Sequence, residues 1–205
     1  LRLRYTFYAF RNYNIHKIFN LEDPLTTYCE YCSTHPEDTF NKTYHDTEYG
    51  FPLSDDHLLF ERLILEINQA GLSWITILKK ADNFRKAYHN FNIAKVAKYG
   101  EKDVNRLLND PGIIRNRLKV NAAIVNAQKI LQLQKECGSF HNWLDQHHPL
   151  TKEEWTKLFK KTFVFTGGEI VNEFLMSTGY LPGAHEESCH VYKKVASLRP
   201  AWMRK

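Results

Sequence analysis

Glu66 and Trp74 are the first residues whose types and spacing suggest chemistry. A carboxylate on the flank of an apolar helix face must be paired or must face a cavity, because burying it alone is costly. An indole just beyond the end of that helix is close enough to share a pocket with it. The two together would hydrogen-bond and stack a flat, electron-poor ring. A structural role is the alternative: Glu66 satisfied by Arg62 or a backbone amide, and Trp74 as ordinary core, since structural ion pairs also bury carboxylates.

A second set is Cys29, Cys32, His45, His185 and Cys189. His185 and Cys189 are four residues apart, which places both on one face of a helical turn and suits two ligands of one zinc ion. With His45 and an early cysteine they would form a Cys2His2 site that staples the N-terminal loops to the C-terminal segment. Unliganded thiols and surface histidines are the other reading. The third set is Pro111-Gly112-Ile113-Ile114 with Arg115, Arg117 and Lys119. Between two helices, a tight glycine turn with basic residues around free N–H groups suits a phosphate. From Pro111 to Lys135 there are five basic residues and no acidic one. A plain turn between helices would carry the same Pro-Gly punctuation.

The elements that position these groups are helical. Leu59, Phe60, Leu63, Ile64 and Ile67 recur at helical spacing after Asp55 and Asp56, an N-cap and a first-turn acid. At roughly 100° per residue Glu66 falls about 20° from Leu59, beside the apolar stripe. The pattern stops at Gly71. Leu21 to Gly50 is polar and rich in turn residues and reads as loops. Asp82 to Tyr99 suggests two short scaffold helices, Asp103 to Asp110 a third, and Arg115 to Gln134 a long one with Leu118, Ala122, Val125 and Ile130 inward. Lys152 to Lys161 reads as a helix with Trp155, Leu158 and Phe159 inward. Gly167-Gly168 opens another core helix and is not a nucleotide loop, because no strand precedes it and no Lys-Ser/Thr follows. His147 and His148 beside Pro149 read as a solvated turn.

The chain has 205 residues and 43% apolar content, enough for one domain with a core, or for one domain plus an appendage. A net charge of +5 favours an anionic partner only mildly. No apolar run is long enough for a secretory or membrane segment, so the four cysteines read as ligands or core in a reduced compartment. Residues 1–25 form a basic, aromatic extension of unknown role, 26–195 the main domain, and 196–205 a tail.

The string Leu65-Glu66-Ile-Asn-Gln-Ala-Gly-Leu-Ser-Trp-Ile-Thr-Ile-Leu-Lys-Lys80, preceded by Tyr44-His45-Asp46-Thr-Glu-Tyr-Gly50, strongly resembles the 3-methyladenine DNA glycosylase I family. The resemblance runs from about Cys29 to Cys189. It implies an all-α helix-hairpin-helix glycosylase fold with a zinc-stapled N- and C-terminal region. The implied activity is excision of 3-methyladenine from alkylated duplex DNA by a cytoplasmic, nucleoid-associated monomer of bacterial type, with free 3-methyladenine as product. Glu66 would hydrogen-bond the flipped base as the catalytic residue, Trp74 would stack on it, and Tyr44 would add a further contact. An ionised Glu66 would favour the cationic base over neutral adenine. Tyr31 is expected as a second aromatic wall, where the family often has Trp, and Tyr49 likewise replaces a Trp.

The implied zinc ligands are His45, His185, Cys189 and an early cysteine, with the zinc structural. Cys29 is preferred, because Tyr31 and Pro36 follow it in the family's arrangement. Cys32 would instead keep the usual distance to the histidine. No carboxylate lies between Asp110 and Glu136, where many related glycosylases carry a catalytic Asp. With no catalytic lysine either, the expectation is a monofunctional enzyme that does not cut the strand. Gly168 stands where the family usually has Pro. Two rival classes share these features: a zinc-stapled DNA-binding module with no reaction, and a zinc hydrolase with water as fourth ligand.

Overall fold

Two side-chain caps turn much of the N-terminal polar stretch into helix in the computed structural model, which describes residues 26–204. Thr27 accepts from the N–H of Glu30 at 3.2 Å and opens α1 (Tyr28–Thr34). Asp38 accepts from the N–H of Asn41 at 3.1 Å and opens α2 (Thr39–Thr47). The loops expected there are therefore replaced, from Tyr28 to Thr47, by a helical pair. Capping satisfies the free N–H groups, and burial of Tyr28, Cys32, Tyr44 and His45 supplies what short helices lack on their own. The extension expected at residues 1–25 lies outside the described residues.

Next comes α3 (Asp56–Gln69), the helix the others pack around. Asp55 caps it as expected, accepting from the N–H groups of His57 and Leu58 at 2.8 and 2.9 Å. Every residue from Leu59 to Gln69 is buried, so its polar members Glu61, Arg62, Glu66, Asn68 and Gln69 all need an account. Helices α4 (Trp74–Leu78), α5 (Ala81–Ala87) and α6 (Ile93–Val96) follow, then α7 (Glu101–Leu108).

The long helix α8 spans Arg117–Cys137 and starts at Asn116. Ala122 and Ile130 are buried as expected, but Leu118 is 69% exposed and Val125 44% exposed. They are corrections: buried Lys119, Val120, Ala123, Ile124 and Ala127 set the inward face. Helix α8 packs on α6, α7 and on α9 (Phe140–His147). Then α10 (Lys152–Thr162), opened by a Thr151–Glu154 capping box, lies against α11 (Gly168–Ser177), and α11 lies against α3. Phe140, Trp155, Phe159 and Phe174 fill the space between them with no measurable exposure.

The chain closes with α12 (Tyr192–Ser197) and a short 3-10 turn, Ala201–Met203. The C-terminal stretch folds back on the body, since Trp202 donates its N–H to Gly179 at 3.3 Å and Arg204 pairs with Asp145 at 3.0 Å. Among the described residues there is no strand, and no helix is long and apolar enough to cross a membrane.

Candidate active site and metal centre

Glu66 projects from α3 with 3% of its surface exposed, and no hydrogen bond to its carboxyl is present among the described residues. The expected structural partner is engaged elsewhere: Arg62 donates to the Tyr44 hydroxyl at 2.9 Å and to Glu48 at 3.1 Å. Burial, and then the neighbouring charge of Glu173, push the Glu66 carboxyl well above its ordinary range, with Arg62 opposing them. Burial and Glu173 thus act together in favouring the neutral form of this acid.

Trp74 opens α4 and is buried against Tyr44, with ring centroids 5.1 Å apart. Its indole N–H has no partner among the described residues, which is unusual for a buried donor. Tyr49 continues this aromatic wall at 5.6 Å from Tyr44, and Tyr28 stands 5.6 Å beyond Tyr49. Trp74 and Tyr44 are thus in ring contact, and the charge of buried Glu66 is felt at Tyr44. Tyr31 lies apart from it in its bonding: its ring stacks on His35 at 4.4 Å and its hydroxyl donates to Asp38 at 3.0 Å.

The four potential metal ligands also meet. Cys29, His45, His185 and Cys189 place their ligand atoms within 4.8 Å of one another, and this buried tetrad can hold a metal ion. Cys189 Sγ is 3.6 Å from His45 Nε2 and 3.8 Å from His185 Nδ1, and Cys29 Sγ is 3.7 Å from His185 Nδ1. The opposite ring nitrogens are fixed as well: His45 Nδ1 lies 2.7 Å from Asp46, and His185 Nε2 lies 2.7 Å from the Tyr49 carbonyl. Burial is the main influence lowering both imidazoles' pKa, His185 to about 4, which keeps them neutral as ligands must be. Burial pushes the Cys29 thiol up, so a metal would have to displace its proton.

Cys32 points instead into the core beside Tyr28 and is not in the tetrad. The segment from His185 to Cys189 is a turn, closed by Cys189 N–H to Glu186 O at 2.9 Å, where a helical turn was expected. A turn brings the two ligands together equally well. A cleft of about 700 Å³ opens beside the tetrad, lined by residues including Thr27, Gly50, Tyr192 and Trp202, but neither Glu66 nor Trp74 lines it.

The family model for methyladenine glycosylase matches residues 33–192. The chain belongs to the methyladenine glycosylase family. DNA-3-methyladenine glycosylase 1 of Escherichia coli (strain K12) is 37% identical over 182 residues, 80% of this chain and 97% of that one. A crystal structure of a tyrosine-to-phenylalanine variant of 3-methyladenine DNA glycosylase I in complex with 3-methyladenine superposes with a TM-score of 0.72 at 31% identity, covering 78% of this chain and 96% of that one. A glutamate-to-glutamine variant from Staphylococcus aureus gives 0.71 at the same identity and the same coverage.

In this member of the family, the turn between α7 and α8 is placed by Asp110, which accepts from the N–H of Gly112 at 2.7 Å. A Cβ on Gly112 would come within 3.0 Å of that carboxylate and 3.1 Å of Asn83, so a side chain there would crowd the turn. Ile113 is buried, Ile114 half-buried and Arg115 exposed. Arg117 is exposed and pairs with Glu101 at 3.0 Å. The helix N-terminus is less open than expected, because the Asn116 side chain accepts from the N–H groups of Leu118 and Lys119. Lys119 is buried and turned inward, its ammonium on the carbonyls of Asn68 and Ala70.

Two acids escaped the sequence reading, buried Glu173 and half-buried Asp46. Glu173 on α11 is 4% exposed and accepts from the Tyr49 hydroxyl at 3.1 Å. Asp46 orients His45. Glu173 sits between the fully buried Val171 and Phe174, the same signal of an acid beside an apolar stripe that marked Glu66.

Proposed function

We propose that this protein is a DNA-3-methyladenine glycosylase I: it flips 3-methyladenine out of alkylated duplex DNA and hydrolyses the N-glycosidic bond. The observation that carries the reading is the buried Glu66 carboxyl, unbonded among the described residues and acting on Tyr44, which is in ring contact with Trp74, in a chain of this family. The target bond lies inside the stack, so the nucleotide must be extruded before reaction. In the pocket, Glu66 faces the edge of the base and Trp74 its plane, with Tyr44 held in place by Arg62. Tyr31 is retained as a second wall that would have to leave His35 to reach the base.

The methylated base is a cation and leaves readily. The bond pair passes to the ring nitrogen, giving neutral 3-methyladenine, while water attacks the sugar carbon and gives up a proton to solvent. A cation beside Glu66 favours loss of the carboxyl proton, so the pocket becomes anionic when the correct base is present. Neutral adenine has no such effect. No lysine nucleophile is needed, and the strand stays intact.

Zinc fits the tetrad. With Zn–S bonds of about 2.3 Å and Zn–N bonds of 2.0–2.1 Å, a tetrahedral site has sulfur–nitrogen edges of about 3.6 Å, against the 3.6–3.8 Å between these donors. Four protein ligands leave no open position, so the ion would be structural, tying α1 and α2 to the segment before α12. The hairpin at Gly112, Ile113 and Ile114, with Arg115 and Arg117, would hold the DNA backbone, and one chain supplies every group. The test is release of base from methylated duplex DNA, resolved by chromatography. Free 3-methyladenine from the wild type and much less from Glu66→Gln is the expected result. Intact DNA binding with no base released overturns the reading in favour of a binding module.

A further inference from the structure

Glu173 faces the same buried region as Glu66 but belongs to a different helix. Its carboxylate accepts from the hydroxyl of Tyr49 at 3.1 Å and from Nδ2 of Asn172 at 3.2 Å. Tyr49 is in ring contact with Tyr44, and Tyr44 with Trp74, so the acid stands behind the aromatic wall. Helix α11 packs directly on α3, and the charge of Glu173 is felt at Glu66, Tyr44 and Tyr49. No cation is bonded to either acid among the described residues. Arg62 is engaged by Tyr44 and Glu48, and Lys152 pairs with Glu169 on the outside of α11 at 3.4 Å.

A buried carboxyl is harder to ionise beside a second one, and the charge of Glu173 raises Glu66 while Arg62 opposes that rise. The charged and titratable groups around them are Glu66 and Arg62 on α3, Tyr44, Glu48 and Tyr49 in and after α2, Glu169 on α11, and Lys152 on α10. Burial raises the Glu173 carboxyl to about 7, while the Tyr49 and Asn172 hydrogen bonds oppose that rise.

We propose that Glu173 is a positioning and specificity-determining residue of the base pocket, a second acid that acts through Glu66 and Tyr49 to select a flat cationic base over a neutral one of the same shape. The idea rests on the glycosylase reading above and adds the basis of its discrimination. At rest the pair retains a proton. Arrival of a fixed positive charge expels it, and the pocket then carries the charge that complements the base. A neutral base leaves the proton where it is and meets an acid that has not been switched.

The test uses two probes on the full chain: the 3,9-dimethyladeninium cation, whose charge is fixed, and neutral 9-methyladenine. Affinities are read by calorimetry in buffers of different ionisation heat, which also counts protons released. The wild type should prefer the cation and release protons on binding it, and release none with the neutral base. Glu173→Gln should narrow that preference by about fivefold or more and reduce the proton release, through loss of one nearby charge. Glu173→Asp should restore both.

Glu173→Ser removes the charge with a smaller side chain, should the glutamine variant fail to fold, and circular dichroism establishes folding for each. An unchanged cation preference in a folded Glu173→Gln or Glu173→Ser protein overturns the proposal. So does cation binding to the wild type without proton release. Release of 3-methyladenine from methylated DNA by the wild type is measured alongside. Its absence defeats the glycosylase reading, whereas its presence with an unmoved preference defeats only the role of Glu173.

Discussion

The ammonium of Lys119, in the first turn of α8, donates to the carbonyls of Asn68 and Ala70 at the end of α3, at 2.8 and 2.7 Å. One side chain thereby ties the hairpin helix to the helix that carries Glu66. The last carbonyls of a helix lack partners within it, and a cation there satisfies them and complements the helix dipole. Lys119→Met should lower stability by about 2–3 kcal/mol, through loss of charge-assisted bonds to buried acceptors. Urea unfolding measures this. Base release should fall with it, because the turn from Ala70 to Ser73 sets the position of Trp74.

Asp56 does similar work at the other end of α3. Its carboxylate accepts from the N–H groups of Phe140 and His141 at 2.8 and 3.0 Å, capping α9 from outside. Asp56→Ala should cost about 1–2 kcal/mol, in the range of a lost N-cap. Asp56→Asn, which keeps an acceptor, should recover part of that. A thermal melt that is unmoved in both would show the contact to be without energetic weight.

Metal analysis separates the early cysteines. Cys29→Ser should lose the bound ion and melt at a markedly lower temperature, whereas Cys32→Ser should keep it and lose only the packing of one small buried group. Removing the ion with a chelator should reproduce the first result, since metal binding free energy in such sites is folding free energy. Zinc in Cys29→Ser at the wild-type ratio would move the ligand assignment to Cys32.

The buried acids give stability a pH dependence of known sign. A carboxyl whose pKa is higher folded than unfolded binds its proton more tightly in the native state, so stability is full below the unfolded value and falls as pH rises toward the folded one. For Glu173 that window runs from 4.5 to about 7. Glu173→Gln should therefore gain on the wild type across it, by on the order of 2–3 kcal/mol at neutral pH. Denaturant midpoints of the two proteins at pH 4.5 and pH 7.5 give the comparison, and a difference that does not change between them contradicts the assignment.

On the DNA side, Arg115→Ala should weaken duplex binding several-fold for any sequence and reduce the salt dependence by about one counterion, as loss of one phosphate contact does. Glu101→Gln releases Arg117 from its exposed ion pair and should tighten binding slightly. Titrations at two salt concentrations distinguish these from a change in fold.

What was legible in the sequence was local. Asp55, the Leu59–Ile67 periodicity and Gly71 fix α3 within a few residues, and Glu66 and Trp74 with it. His45, His185 and Cys189 stood out by residue type, and the structure brings them together with Cys29. Residues 28–47 read as loops in the sequence because polar stretches of seven to nine residues carry little periodicity, and the deciding burial of Tyr28 and Tyr44 comes from distant helices. Leu118 and Val125 are apolar on an outward face, and nothing in the pattern says which side of a long helix has neighbours. Lys119 read as a phosphate ligand because its destination, a pair of carbonyls about fifty residues earlier, is a tertiary fact.

Tyr49 joins two regions that otherwise have separate tasks. Its carbonyl holds the ring of His185, and its hydroxyl holds Glu173. Anyone redesigning the pocket for a different damaged base inherits that linkage: moving the Tyr49 backbone to make room would also rotate a ligand of the metal site. A change at position 173 meets Tyr49 at its hydroxyl and not at its backbone, so it bears on the His185 ring only through that side chain.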